Sequence, residues 1–231
     1  MKKLTCIIPA FNEEKQIANV LDAVLDLKQT LPLEIIVVDD GSTDQTATLL
    51  KNYKNIHVIT NRPNLGKSYS IAKALEVSKG DYILLLDADL IGLTANDIRN
   101  LLLPIQNNTA EVTMSVRRNS FMHMRIMNLD FVTGERVFPR KLVADKIDEI
   151  KKLPRFGLEV FLNNLIIEHR CVVKTVYWKT VAHTKKNIKR GFFSSIVADI
   201  KMARDILQTV SLPRIAMQHV ALIKQSTRNN D

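Results

Sequence analysis

A chain of 231 residues, 46% hydrophobic and 25% charged, has the length and composition of one globular α/β domain, or of such a domain with a C-terminal extension. No run approaches the roughly 20 apolar residues of a membrane-spanning helix. Two isolated cysteines, Cys6 and Cys171, make neither a disulfide framework nor a metal-spaced cluster. The formal net charge of +9 is uneven: residues 1–110 hold 11 Lys+Arg against 13 Asp+Glu, whereas residues 111–231 hold 22 against 11. Such a basic half attracts nucleic acid, an anionic membrane surface or a phosphorylated substrate, or serves only as a solubilising surface.

The first apolar run, Leu4–Ile8, is short, stops at Pro9 and gives way to Asn12-Glu13-Glu14. It does not read as a signal peptide, and the thiols suit a reducing compartment. The expectation is a cytoplasmic protein, with peripheral contact at the inner face of the cell membrane left open.

In chain order, Leu4–Ile8 predicts a strand. Residues 13–29 place Ile17, Val20, Leu21, Val24 and Leu25 at helical spacing. Glu34–Val38 is a β-branched run closed by Asp39-Asp40-Gly41, after which Ser42 or Thr43 is expected to cap a helix reaching about Tyr53. Ile56–Thr60 predicts a third strand, Gly66–Ser78 a third helix, and Tyr82–Leu86 a fourth strand ending at Asp87. This alternation predicts a Rossmann-like, mostly parallel sheet sandwiched by helices. Ligands of such sheets bind beyond the carboxyl ends of strands. That rule points to 9–13, 39–42, 61–67 and 87–89, where polar residues cluster.

Beyond residue 90 the pattern weakens. Asn96–Leu103 predicts a helix, Ala110–Val116 a strand, 117–140 a loop or short helix, Phe156–Ile167 a helix and Cys171–Tyr177 a strand. From Ile188 to Val210 apolar residues recur every three or four positions, flanked by Lys185, Lys186, Lys189, Arg190, Lys201 and Arg204. That stripe fits a helix in a membrane interface, a helix packed on the core, or a homodimer contact. The chain divides into a strongly alternating half (1–110), a less regular half (111–184) and a basic helical extension (185–231).

Asp87-Ala88-Asp89 is the sharpest local signal. Two carboxylates at the end of an apolar strand are costly unless a cation meets them, and Mg²⁺ or Mn²⁺ takes one or two carboxylates with substrate phosphates. Alone the tripeptide would read as a capped loop. However, Asp39-Asp40 and Asn12-Glu13-Glu14 put further acidic groups at the ends of two other strands. Gly66-Lys67-Ser68 is not a P-loop, since the required glycine five residues earlier is Asn61.

Together, Ile7-Ile8-Pro9-Ala10-Phe11-Asn12-Glu13, Val37-Val38-Asp39-Asp40-Gly41-Ser42-Thr43-Asp44, Asn64-Leu65-Gly66-Lys67 and Leu86-Asp87-Ala88-Asp89 resemble family 2 glycosyltransferases of the GT-A fold. The resemblance implies a nucleotide pocket lined by the Pro9-Ala10 segment, Asn12 or Glu13, and Asp39. It also implies that Lys67 lies near the base or diphosphate, that Asp89 is the main metal ligand, and that Asp87 and the intervening Ala88 help hold the nucleotide sugar. Thr133-Gly134-Glu135-Arg136-Val137-Phe138-Pro139-Arg140 and Phe156-Gly157-Leu158-Glu159-Val160 are similar to acceptor-side segments of polyprenyl-phosphate and phosphoglycerate sugar transferases. Glu159 is then either a general base for an acceptor hydroxyl or a carboxylate favoured at a helix start. The resemblance also implies that a histidine at the place of His183 can complete the metal shell. Arg117, Arg118, Arg136 and Arg140 are candidates to grip an acceptor phosphate, which arginine forks suit.

The reading is an inverting, metal-dependent transferase with a UDP- or GDP-sugar donor, Mg²⁺ or Mn²⁺, and a lipid or phosphorylated acceptor. A sugar-phosphate nucleotidyltransferase would need a glycine-rich, arginine-containing loop where Pro9-Ala10-Phe11-Asn12 stands. A nucleic-acid-binding protein fits the basic half but leaves the acidic strand ends unexplained, so nucleic acid is not expected as a partner.

Overall fold

Three of the apolar runs become interior strands because both of their faces are covered. The computed structural model describes residues 2–118, 133–154 and 157–183. Its strands are β1 (Leu4–Ala10), β2 (Leu33–Asp39), β3 (His57–Thr60), β4 (Tyr82–Leu85), β5 (Leu90–Ile91), β6 (Val112–Arg117), β7 (Arg136–Pro139), β8 (Val173–Trp178) and β9 (Ala182–His183). The helices are α1 (Ile17–Lys28), α2 (Thr46–Leu50), α3 (Lys67–Val77), α4 (Ala95–Gln106), α5 (Ile147–Ile150) and α6 (Gly157–Glu168). No described helix is long and apolar enough to cross a membrane.

Seven strands form one sheet in the order β3-β2-β1-β4-β7-β6-β8, and β5 pairs with β9 in a separate two-stranded ribbon. β1 pairs in parallel with β2 and β4, and β2 with β3. β7 runs antiparallel to both β4 and β6, while β6 and β8 are parallel. The sheet is therefore mixed, with one reversed strand at its centre. The chain builds outward from β1 to β3, then returns to place β4 on β1's other side. This makes the β1/β4 junction a topological switch point, where α/β sheets open a crevice.

Side chains alternate across the pleat and divide the core in two. Cys6, Ile8, Val37 and Leu84 pack with Val20, Leu21 and Val24 of α1 and with Ile98, Leu101 and Leu102 of α4. Ile7, Ile36, Val38, Ile83 and Leu85 pack on the other side with Ile71 and Leu75 of α3 and with Leu158, Leu162 and Leu165 of α6. Cys6 and Cys171 are free thiols, both pushed up by burial. In α4 the start is fixed by a reciprocal capping box: Thr94 Oγ1 accepts the Asp97 N–H, and Asp97 Oδ2 accepts the Thr94 N–H.

Two elements differ from the sequence expectation. The helix after β2 is only Thr46–Leu50, and Asp44, whose Oδ1 accepts the Thr46 N–H at 2.9 Å, sits at its start. Ser42 and Thr43 are engaged elsewhere, with Asp39 and Asn12. The stretch expected as loop or short helix contains β7, four buried residues that all pair with β4 and of which Arg136 and Val137 also pair with β6. The expected helix over 188–210 lies outside the described residues, as does the whole of the 185–231 extension.

The central reversed strand enters through a buried polar knot. Glu135 is fully buried and accepts hydrogen bonds from Ser115 Oγ (2.9 Å), Thr133 Oγ1 (2.6 Å) and Arg117 Nη1 (2.7 Å). Breaking such a pair strands the remaining charge in a low-dielectric interior. Glu135→Gln is expected to cost about 3–5 kcal/mol of stability, read as a lower midpoint of urea unfolding. A midpoint equal to wild type would show that the knot contributes nothing.

Candidate active site

The parallel register brings the ends of β1, β2 and β4 to one edge: Ala10 lies beside Asp39, and Ile7 beside Leu85. The loops that follow are wired to each other. Asn12, with a φ of 57°, donates its N–H to Ser42 Oγ (3.0 Å), and its Oδ1 accepts the Thr43 N–H (2.8 Å). The N–H groups of Glu13 and Glu14 donate to Thr46 Oγ1 and Asp44 Oδ2. Asp39 is buried, and its Oδ1 accepts the Ser42 N–H.

Asp40, also buried, organises the next loop. Its Oδ1 accepts Asn61 Nδ2–H and the Leu65 N–H, and its Oδ2 accepts the Gly66 N–H at 2.8 Å. Gly66 takes a φ of +94°, a conformation that favours glycine, and delivers Lys67 as the first residue of α3.

Lys67 is the hub. Its Nζ lies 2.8 Å from Asp87 Oδ1 and 3.0 Å from Glu159 Oε1. Burial alone would push the ammonium down, but the two carboxylates outweigh it and hold Lys67 above its ordinary range; the side chain keeps 39% exposure, which weakens the burial effect. Burial likewise opposes charge on Glu159, yet Lys67 and Arg136 hold its carboxyl below the usual range. Asp87 rests on the bare backbone of Gly134, where an added Cβ would sit 2.6 Å from Asp87 Oδ2.

Around this hub lies a cavity of about 240 Å³ lined by Pro9, Ala10, Phe11, Glu13, Asp40, Lys67, Asp87, Ala88 and Asp89. A larger cavity, about 500 Å³, opens near the opposite ends of the strands between Lys2, Leu31, Tyr82 and Ile105. There Lys2 Nζ already donates to the Ile105 carbonyl and Asn108 Oδ1. The smaller cavity is the candidate site, because four carboxylates and an ammonium converge on it at the switch point.

Residues 5–153, well over half of the chain, match the profile of Glycosyl transferase family 2. The chain belongs to glycosyl transferase family 2. An uncharacterized protein of Methanocaldococcus jannaschii is 34% identical over 136 residues, which is 54% of this chain and 57% of that protein. The dolichyl-phosphate beta-glucosyltransferase of Dictyostelium discoideum is 27% identical over 182 residues, 71% of this chain and 50% of that protein. The chain thus spans about half the length of these curated relatives. The structure of glucosyl-3-phosphoglycerate synthase from Mycobacterium tuberculosis in complex with Mn²⁺, UDP and phosphoglyceric acid shares the fold, with a TM-score of 0.67 at 21% identity over 90% of this chain and 78% of that one. The α/β, GT-A-like architecture expected from the motif order is the one observed.

Family membership sharpens the placement of the expected residues. Pro9, Ala10, Glu13, Lys67, Asp87, Ala88 and Asp89 meet at one cavity. Asn12 and Asp39 stand behind it, engaged with Ser42 and Thr43. Two of the candidate arginines lie away from the cavity lining. Arg136 is fully buried, donating through Nε and Nη2 to the Thr133 carbonyl and through Nη1 to Asn163 Oδ1. Arg140 follows Pro139, which pairs with Tyr82 at the far end of β4, and its Nε donates to Ser78 Oγ. Arg117 ends β6 on the site's edge of the sheet but is paired with Glu135. Arg118, next along, is exposed.

Among the described residues no group of three or more His, Cys, Asp and Glu is arranged to hold a metal. The donor chemistry still fits a hard divalent cation, which needs only one or two carboxylates when phosphates complete its shell. Asp89 lines the cavity, and the β5–β9 register puts the backbone of His183 beside Leu90, the next residue.

The sequence reading passed over Gly134 and the clasp on Lys67. A glycine between Thr133 and a buried glutamate was the available signal for the first, while nothing local announces the second. Gly134→Ala is expected to push the Asp87 carboxylate off its seat and lower nucleotide affinity about tenfold. Isothermal titration with UDP or GDP checks this; wild-type affinity in the variant would show that the close approach is dispensable.

Proposed function

We propose that this chain moves a sugar from a UDP- or GDP-linked donor to a phosphorylated acceptor, with inversion at the anomeric carbon. The carrying observation is the 2.8 Å contact of Lys67 with Asp87 inside a cavity at the β1/β4 switch point. It fixes one cation where a donor diphosphate would lie. The acceptor classes are suggested by a relative named for dolichyl phosphate and by a fold neighbour bound to phosphoglyceric acid.

The cavity is smaller than the roughly 300–1,000 Å³ of sites that enclose a whole drug-sized ligand. It suits the diphosphate and the adjoining ribose, with the remainder of the donor lying across the open edge. Pro9, Ala10 and Glu13 would line the nucleoside side. Asn12 and Asp39 would keep the two loops in register, and Asp87 and Ala88 would face the sugar phosphate.

Transfer breaks the bond between the anomeric carbon and a phosphate oxygen, and negative charge grows on the departing diphosphate. A positive charge already in place stabilises that change without reorganisation. Lys67 supplies one such charge. A bound Mg²⁺ or Mn²⁺, with Asp89 as its carboxylate ligand and His183 as a second donor, would neutralise the same leaving group. An acceptor phosphate is itself a nucleophile and needs no base; a hydroxyl acceptor needs one.

Asp89→Asn keeps shape and removes charge. It is expected to lower kcat about 100-fold or more while melting within about 2 °C of wild type in the absence of nucleotide. Undiminished transfer by this variant would sink the role given to Asp89. A thermal-shift screen of UDP-, GDP- and dTDP-sugars with and without Mn²⁺ identifies the donor: one base should give a Mn²⁺-dependent rise, and no rise with any donor would remove the reading.

A further inference from the structure

Glu159 fits poorly the part that a carboxylate at this place suggests first. Resting on the proposed donor site, we infer that Glu159 is a positioning residue: it fixes Lys67 against Asp87 and takes no proton from the acceptor.

The geometry begins with Lys67 in an unfavourable place. It is the first residue of α3, at the positive end of the helix dipole, and the first turn of α3 holds no acidic residue. An ammonium on a flexible four-carbon stem would swing toward solvent there unless carboxylates from elsewhere held it. Two do, from different parts of the chain. Asp87 comes from the end of β4 and is itself seated on Gly134. Glu159 comes from the first turn of α6, where a carboxylate is favoured. Two fixed anchors define where Nζ sits. They use two of its three hydrogens and leave the third for a ligand oxygen in the cavity that Lys67 lines.

A second cation also acts on Glu159. That side chain is almost fully buried, and the buried guanidinium of Arg136 acts on it from the protein interior. A carboxylate clamped between two cations stays ionised and is a weak proton acceptor, opposite to the tuning that suits a base near neutral pH. The alternation Asp87, Lys67, Glu159, Arg136 accounts for all four charges without assigning any of them to the acceptor's proton.

The test is nucleotide binding without acceptor. UDP and GDP are titrated in the presence of Mn²⁺ into wild type, Glu159→Gln, Lys67→Met and the double variant. Positioning predicts that E159Q weakens binding about tenfold, the scale of one charge-assisted hydrogen bond, and that the double variant binds no worse than K67M. Donor hydrolysis without acceptor should fall in parallel. Should E159Q fail to fold around Arg136, Glu159→Asp keeps the charge and withdraws it by one methylene, and the same weakening is expected. Wild-type nucleotide affinity in E159Q or E159D, with only transfer lost, would establish Glu159 as the base and overturn the inference. Additive losses in the double variant would overturn it too. Wild-type protein that binds neither nucleotide would instead defeat the donor-site reading, and this inference with it.

Discussion

One ammonium ties the candidate site together. Lys67 reaches Asp87 in the N-terminal half and Glu159 in the second, so a single group spans the division that the sequence suggests near residue 110. Desolvating such charges costs several kcal/mol per ion, and their mutual attraction at best offsets it. Apolar groups of similar volume would serve stability as well. The clasp makes physical sense as a way to hold one positive charge at a fixed point on a cavity wall, with Asp87 and Glu159 as its two anchors.

The remaining acidic residues of the edge divide between scaffold and site. Asp44 caps α2, and Asp40 gathers three donors from the loop before α3. Asn12 joins the first two loops through Ser42 and Thr43, and Asp39 accepts the Ser42 N–H within the second. A carboxylate that accepts two or three protein N–H groups has little capacity left for a ligand, however close it lies. Asp40 lines the cavity, yet its work is to place Gly66 and hence Lys67. An acidic strand end is thus not by itself a ligand contact. Motif segments quoted as one block contain residues that touch the cavity next to residues that only shape it.

This explains what the sequence could and could not disclose. β1, β2 and β4 were legible because each is a continuous apolar run, as burial on both faces demands, and the loops that follow them were legible because polar residues stand where such runs stop. β7 was not. Its four residues begin with Arg136 and end with Pro139, and the buried partners that make Arg136 acceptable, Thr133 and Asn163, are visible only after folding. Arg140 misled for a topological reason: four residues of antiparallel strand carry it from the site's edge to the opposite end of the sheet. No local pattern encodes that reversal. The joining of Lys67 to Glu159 is hidden for the same reason, as it depends on how α3 and α6 pack on one face of the sheet.

The charge asymmetry can now be reread from the same contacts. Within the described part of the basic half, Arg117 is neutralised by buried Glu135 and Lys151 by Glu76, so these two charges contribute little to an outward field. Much of the remaining basic excess belongs to residues 184–231, which hold nine Lys+Arg against three Asp+Glu. The chain enters that segment from β9, whose antiparallel register with β5 sets the backbone of His183 opposite Leu90. The last described residue, His183, therefore has its backbone one position from Asp89, on the edge of the sheet where the acidic cavity opens.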